Sequence, residues 1–272
     1  MHNEFITKIE QLPPLDENIQ LLGEYINDPR KGAKDIAQVI EKDAALTAQL
    51  MKLVNSAALG LRKIESVERA ICLVGFSTVC QLAICLQSLH LIGKLSGVSA
   101  RSLMHHAQQV AHTAKLLAEE VGRPQPAVMY AAGLLHDIGR LALFYVFPER
   151  YEKWLKLAPQ MTNVLELERQ VFGLDHQKAG DLLGEKWRYN MSLREVISRH
   201  HQLEASDPLT LEVISFVALA DGLVHRCYPQ AVPGANRGIP AGVEKILGEK
   251  KLDYEKLKDL QEIRSESIID EV

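Results

Sequence analysis

Residues 127–146 read AVMYAAGLLHDIGRLALFYV, and this stretch decides how the rest of the chain is read. Tyr130, Leu134 and Leu141 recur at helical spacing and mark an inner face. Asp137 falls on that same face, with His136 beside it. An acid and an imidazole therefore stand where a bundle helix should present leucine. Burying such a group without a partner costs several kcal/mol, and an ionised carboxylate costs more.

The same misplacement recurs outward along the chain. The helix predicted over 100–121 carries the stripe Leu103, Val110, Ala114, Leu117 and Val121, and His106 lies in it. His105 and His112 fall to the side, near Gln109 and Lys115. His176 heads the stripe of Ala179, Leu183 and Trp187 in a helix over 175–188. His200 and His201 continue Leu193, Val196 and Ile197 in a helix over 191–202. Asp221 is embedded among Ile214, Val217, Ala218 and Val224 in a helix over 208–227. Further helices are predicted over 148–159 and 162–172.

The remaining sequence agrees with an all-α fold. Apolar residues repeat at three and four, aromatics are 6%, and period-two alternation is scarce. Toward the N-terminus, helices are expected over 16–26, 35–40, 44–54 and 77–92, with Ser66 capping another that contains Val67, Ala70, Ile71 and Val74. Gly97 divides an N-terminal helical subdomain (1–96) from a second helical part (97–272). A Pro- and Gly-bearing loop over 229–240 and a charged segment over 241–268 are expected at the end.

Composition narrows the class. With 272 residues and 47% hydrophobic content, the chain can bury a core. Lys plus Arg is 31 against 35 Asp plus Glu, a net charge of −4, so specific nucleic-acid binding is not predicted. Apolar runs such as Leu141–Phe147 are far short of the roughly 20 residues of a membrane span, and Met1–Glu10 has no apolar block. Cys72, Cys80, Cys85 and Cys227 form no Cys-x-x-Cys pair, which is read as reduced, buried thiols in a cytoplasmic protein.

Taken singly, each polar intruder has an ordinary reading. One histidine on an apolar stripe is usually a hydrogen-bonded core residue. A His-His pair at a helix end suits the negative end of the dipole, and Asp221 could pair with Arg226. The joint pattern is different: His106, His136, Asp137, His176, His200, His201 and Asp221 come from five helices and offer nitrogen and oxygen alone. Such a set suits a divalent iron, manganese, zinc or magnesium ion. It also exceeds the needs of one four-coordinate zinc, leaving room for a second ion. His90, His105, His112 and His225 fit surface or structural roles.

The stretch from Ala132 to Arg140 resembles the signature of the HD superfamily of metal-dependent phosphohydrolases. In that superfamily a His, a His-Asp pair and a later Asp bind the metal, which corresponds here to His106, His136, Asp137 and Asp221. The chain is identified further as a member of the HDOD group, over about residues 12–228. The residues that carry this are Leu12-Pro13-Pro14-Leu15, Asp43-Ala44-Ala45-Leu46-Thr47, Asn55-Ser56-Ala57, Ala70–Gly75, Phe172–His176 with Trp187, and His200-His201.

The resemblance implies an HD-type bundle carrying an N-terminal helical subdomain and a role in bacterial signal transduction. It implies a phosphoester or nucleotide ligand. In an active site Asp137 and His176 are expected to be catalytic, and Arg140, one turn beyond Asp137, either contacts a phosphate or forms a surface ion pair. His176, His200 and His201 look like the extra ligands of HD-GYP phosphodiesterases, but no Gly-Tyr-Pro follows the His pair. Asp43-Ala44 also replaces the usual Asp-Pro. The alternative implied by the family is a non-catalytic module that recruits a signalling partner and keeps a structural or vestigial metal site.

Overall fold

The computed structural model describes residues 2–25, 28–57, 64–94, 98–122, 126–160, 163–227 and 243. The described residues form α-helices joined by short turns, with no strand among them. The N-terminal group is α1 (His2–Glu10), α2 (Glu17–Tyr25), α3 (Ala33–Ile40), α4 (Ala44–Ala57), α5 (Val67–Val74) and α6 (Phe76–Lys94). The second group is α7 (Val98–Glu120), α8 (Pro126–Leu135), α9 (Ile138–Val146), α10 (Pro148–Leu157), α11 (Val164–Phe172), α12 (His176–Lys186), α13 (Met191–Arg199) and α14 (Pro208–Cys227).

Local chemistry sets many of these ends. The side chains of Ser66, Asn163, Asp175 and Asn190 each accept a backbone N–H from the first turn of the helix that follows. α11 closes on Gly173, whose φ of 84° is open to glycine at no steric cost. The helix over His2–Glu10 was not expected from the sequence. Its Phe5 and Ile9, four apart, are buried in the core, a signal too short to register as a stripe.

Two hydrophobic clusters hold the molecule. One runs from Phe5 to Ile197 and draws on α1 to α13. The other gathers Val110, Leu117, Val196, Phe216, Val217 and their neighbours around α7, α8, α13 and α14. α7 packs against both α8 and α14 and is buried on most of its circumference. Gln109 and Lys115, placed beside the stripe by periodicity, are therefore buried as well. Lys115 reaches Glu119 at 3.6 Å.

Some expectations need correction. The single helix expected over 127–146 is broken at His136-Asp137 into α8 and α9. Cys72 is exposed, while Cys80 and Cys85 are buried thiols; the Cys227 side chain lies outside the described residues. Two stretches, Pro126–Val146 and Pro208–Arg226, are long and apolar enough to cross a membrane by length and composition, but 89% and 78% of them is buried within the protein. The loop expected over 229–240 and the charged segment over 241–268 fall almost wholly outside the described residues.

Candidate metal centre

The break between α8 and α9 builds the centre. His136 follows the last turn of α8, and its Nδ1 lies 2.7 Å from the carbonyl oxygen of Gly133. His200 does the same after α13, with Nδ1 2.9 Å from the Ile197 carbonyl. A carbonyl oxygen only accepts, so each Nδ1 carries the proton. Each ring satisfies one of the orphan carbonyls of a helix end and leaves its Nε2 with a bare lone pair. Asp137 occupies the N-cap position of α9 but makes no side-chain cap bond, so its carboxylate is turned into the cluster instead.

A third imidazole is held by a residue that periodicity did not flag. Oε2 of Glu168, on α11, accepts from the backbone N–H of His176 at 2.8 Å and sits 2.6 Å from His176 Nδ1. Glu168 is 1% exposed. A signal was available: Val164, Glu168 and Phe172 are spaced by four, which puts a carboxylate in the middle of an apolar stripe.

Close backbone packing brings these groups together. A Cβ on Gly139 would collide with the carbonyl oxygen of His176 and stand 2.7 Å from the Gly180 amide nitrogen. α9 and α12 can therefore touch backbone to backbone, which sets Asp137 beside His176.

The seven predicted residues converge. Asp137 Oδ1 is 3.3 Å from His176 Nε2 and 3.6 Å from His200 Nε2, while Oδ2 is 3.6 Å from His136 Nε2 and 4.0 Å from His106 Nε2. Asp221 Oδ1 lies 3.0 Å from His106 Nε2 and 3.9 Å from His136 Nε2. His176 Nε2 lies 3.3 Å from His200 Nε2 and 3.1 Å from His201 Nε2. Three overlapping donor groups result: His106, His136 and Asp221; His136, Asp137 and His200; and His176, His200 and His201.

The set fits a cation. His106 Nε2, His136 Nε2, Asp137 Oδ1 and Asp221 Oδ1 are buried with no well-formed hydrogen bond. Two ligands each about 2.1 Å from one ion stand about 3.0–3.4 Å apart, and the His176 Nε2 separations match that spacing. Electrostatics point the same way. Burial pushes the His136 imidazole down to about 4, and it holds His201 well below its ordinary value, so both rings are neutral near pH 7 and free of the charge that would repel a cation. Burial would raise the Asp137 carboxyl, but the Arg140 guanidinium and the surrounding imidazoles outweigh it and hold the group well below the usual range. Asp221 is likewise held low against burial, by His106 and His136.

Arg140 is 1% exposed. Its Nε lies 3.2 Å from Asp137 Oδ2, its Nη2 3.8 Å from Glu168 Oε1, and its guanidinium stands 5.5 Å above the Trp154 ring. Among the histidines set aside, His90 is exposed, His225 is buried, and His112 meets the Tyr130 ring edge-on at 5.0 Å.

A helical bundle with a His, a His-Asp pair and a distal Asp turned inward defines an HD-type protein. The HDOD domain model matches residues 12–203, and the chain belongs to that family. The structure is similar to an HDOD domain protein of unknown function from Geobacter sulfurreducens, at 23% identity and TM-score 0.71, covering 99% of this chain and 96% of that one. It is also similar to a Marinobacter aquaeolei protein provisionally named for signal transduction, at 25% identity and TM-score 0.68, covering 96% of this chain and 59% of that one. An uncharacterised protein of Treponema pallidum is 26% identical over 219 residues, which is 79% of this chain and 42% of the relative. The chain thus spans less than half the length of that curated relative.

Proposed function

We propose that this HDOD protein holds one or two divalent cations in the centre around Asp137 and hydrolyses a phosphoester in bacterial signal transduction. The observation that carries the reading is the aim of three imidazoles. His136, His176 and His200 each tie Nδ1 to an oxygen and direct Nε2 toward Asp137. Outer partners of this kind fix the tautomer and orientation of metal-bound histidines.

In this reading His106, His136, Asp137 and Asp221 would hold one ion, and His176, His200 and His201 would hold a second. A bound cation supplies hydroxide near neutral pH by lowering the pKa of water. The chain's own groups do the rest. The neutral rings of His136 and His201 leave lone pairs available, and Asp137 stays ionised as a ligand. Arg140 is turned to Asp137 and Glu168, so its role is to hold that carboxylate in place. His201 is the half-buried member of the set, so the cluster opens toward solvent on its side.

One observation also favours a non-catalytic output module. His106, His136, Asp137, His176, His200 and Asp221 are all buried, a degree of closure that suits a structural ion. Metal analysis of the purified protein, followed by turnover of bis(p-nitrophenyl) phosphate with manganese, iron, zinc and magnesium, separates the two. Hydrolysis that disappears in Asp137→Ala supports the enzyme. Stoichiometric metal without hydrolysis under any of the four supports the module. Neither metal nor turnover overturns the enzyme.

A further inference from the structure

A second concave site lies away from the His/Asp cluster. Between the α5–α6 junction and the outer ends of α8, α13 and α14 is a cavity of about 480 Å³. That volume falls within the range of small-molecule sites, about 300–1,000 Å³. Gly75, at φ 95°, turns the chain between α5 and α6 and so sets the first turn of α6 on the cavity wall.

The chemistry of the wall selects its ligand. Val74, Met129, Val196 and Val213 give an apolar floor. Thr78, Gln81 and Asn190 add hydroxyl and amide groups. Among the described lining residues, Glu212 alone carries a charge, and no lysine, arginine or histidine is present. A phosphate or carboxylate entering this cavity would lose water and meet no cation among the described lining residues. The rim is apolar as well: the lining residue Leu209 is 59% exposed.

We infer that this cavity binds a small neutral amphipathic molecule, with an apolar body on the α8–α13–α14 floor. It is a site separate from the candidate metal centre. It is also near that centre: Ala132 and Val196 line it, one helical turn before His136 and His200. The inference does not depend on metal or turnover, and its test needs neither.

Titration of the full chain with N-phenyl-1-naphthylamine, a neutral apolar amine whose fluorescence rises on burial, is expected to show saturable one-to-one binding. Its anionic relative 1-anilinonaphthalene-8-sulfonate is expected to bind at least tenfold more weakly at this site. Ser192→Trp and Ser77→Trp each project an indole into the cavity from an exposed position, and each is expected to weaken the amine at least tenfold with the circular dichroism spectrum unchanged. Non-saturable uptake, equal binding of the sulfonate, or full binding retained in both folded tryptophan variants would overturn the inference.

Discussion

Replacing Glu168 by glutamine isolates what the buried carboxylate does for the metal centre. Its Oε2 takes two hydrogen bonds, from His176 N at 2.8 Å and from His176 Nδ1 at 2.6 Å, in a place that is 1% exposed. Charge-assisted bonds of this kind are worth about 1.5–3 kcal/mol each, roughly twice a neutral bond. Glutamine keeps the shape and an accepting oxygen but gives up the charge, so about half of each bond is lost, about 1.5–3 kcal/mol in all. The new amide nitrogen also faces the Arg140 guanidinium, donor against donor, where an oxygen stood at 3.8 Å. His176 is then less firmly aimed. The expected result is a 10- to 100-fold loss of metal affinity, as for other outer partners of ligating histidines. Competition against a chelating dye with zinc or manganese measures it, with circular dichroism checking the fold. Glu166→Gln, on the same helix and half exposed, is the control and keeps wild-type affinity. A folded Glu168→Gln protein within twofold of wild type would refute the positioning role.

Other expectations follow from the same geometry. Gly139→Ala puts a methyl group into the His176 backbone, where neither partner can rotate away; a destabilisation of about 3 kcal/mol is expected in urea unfolding, and a change below 1 kcal/mol would contradict the contact. His136→Ala and Asp137→Ala are expected to lose metal together, because their ligand atoms belong to one group, and stoichiometric metal retained in both would argue against a shared shell. Asp181 is held below its ordinary value, against partial burial, by Lys178 and Arg194. A depressed carboxyl stabilises the fold above its unfolded pKa and loses that contribution as pH falls through the folded one. Asp181→Asn is therefore expected to remove about 1 kcal/mol at neutral pH and less in acid, read from unfolding midpoints at several pH values.

Helix positions in the second half of the chain were legible because their signals are local. The stripes of α7, α12, α13 and α14 repeat every three or four. The donor set was legible for the same reason: each His or Asp sits in, or for His136 beside, a stripe where leucine belongs. α1 was not, since two apolar residues make no stripe, and the split of 127–146 was not, since apolar spacing runs straight through it. That break comes from a side chain, His136, taking the Gly133 carbonyl, and periodicity carries no trace of such a bond.

By itself, then, the sequence determined that this protein is helical and that seven nitrogen and oxygen donors intrude on apolar faces. Hydrophobic period and local capping are properties of consecutive residues, so they can be read without coordinates. Only the tertiary structure decided that those donors meet, that Arg140 is turned inward to Asp137 and Glu168, and that Glu168 is what holds His176. Those facts depend on how close α9, α11 and α12 approach one another. That approach is set by the missing side chain of Gly139 against a backbone nearly 40 residues further along, a distance no periodicity spans.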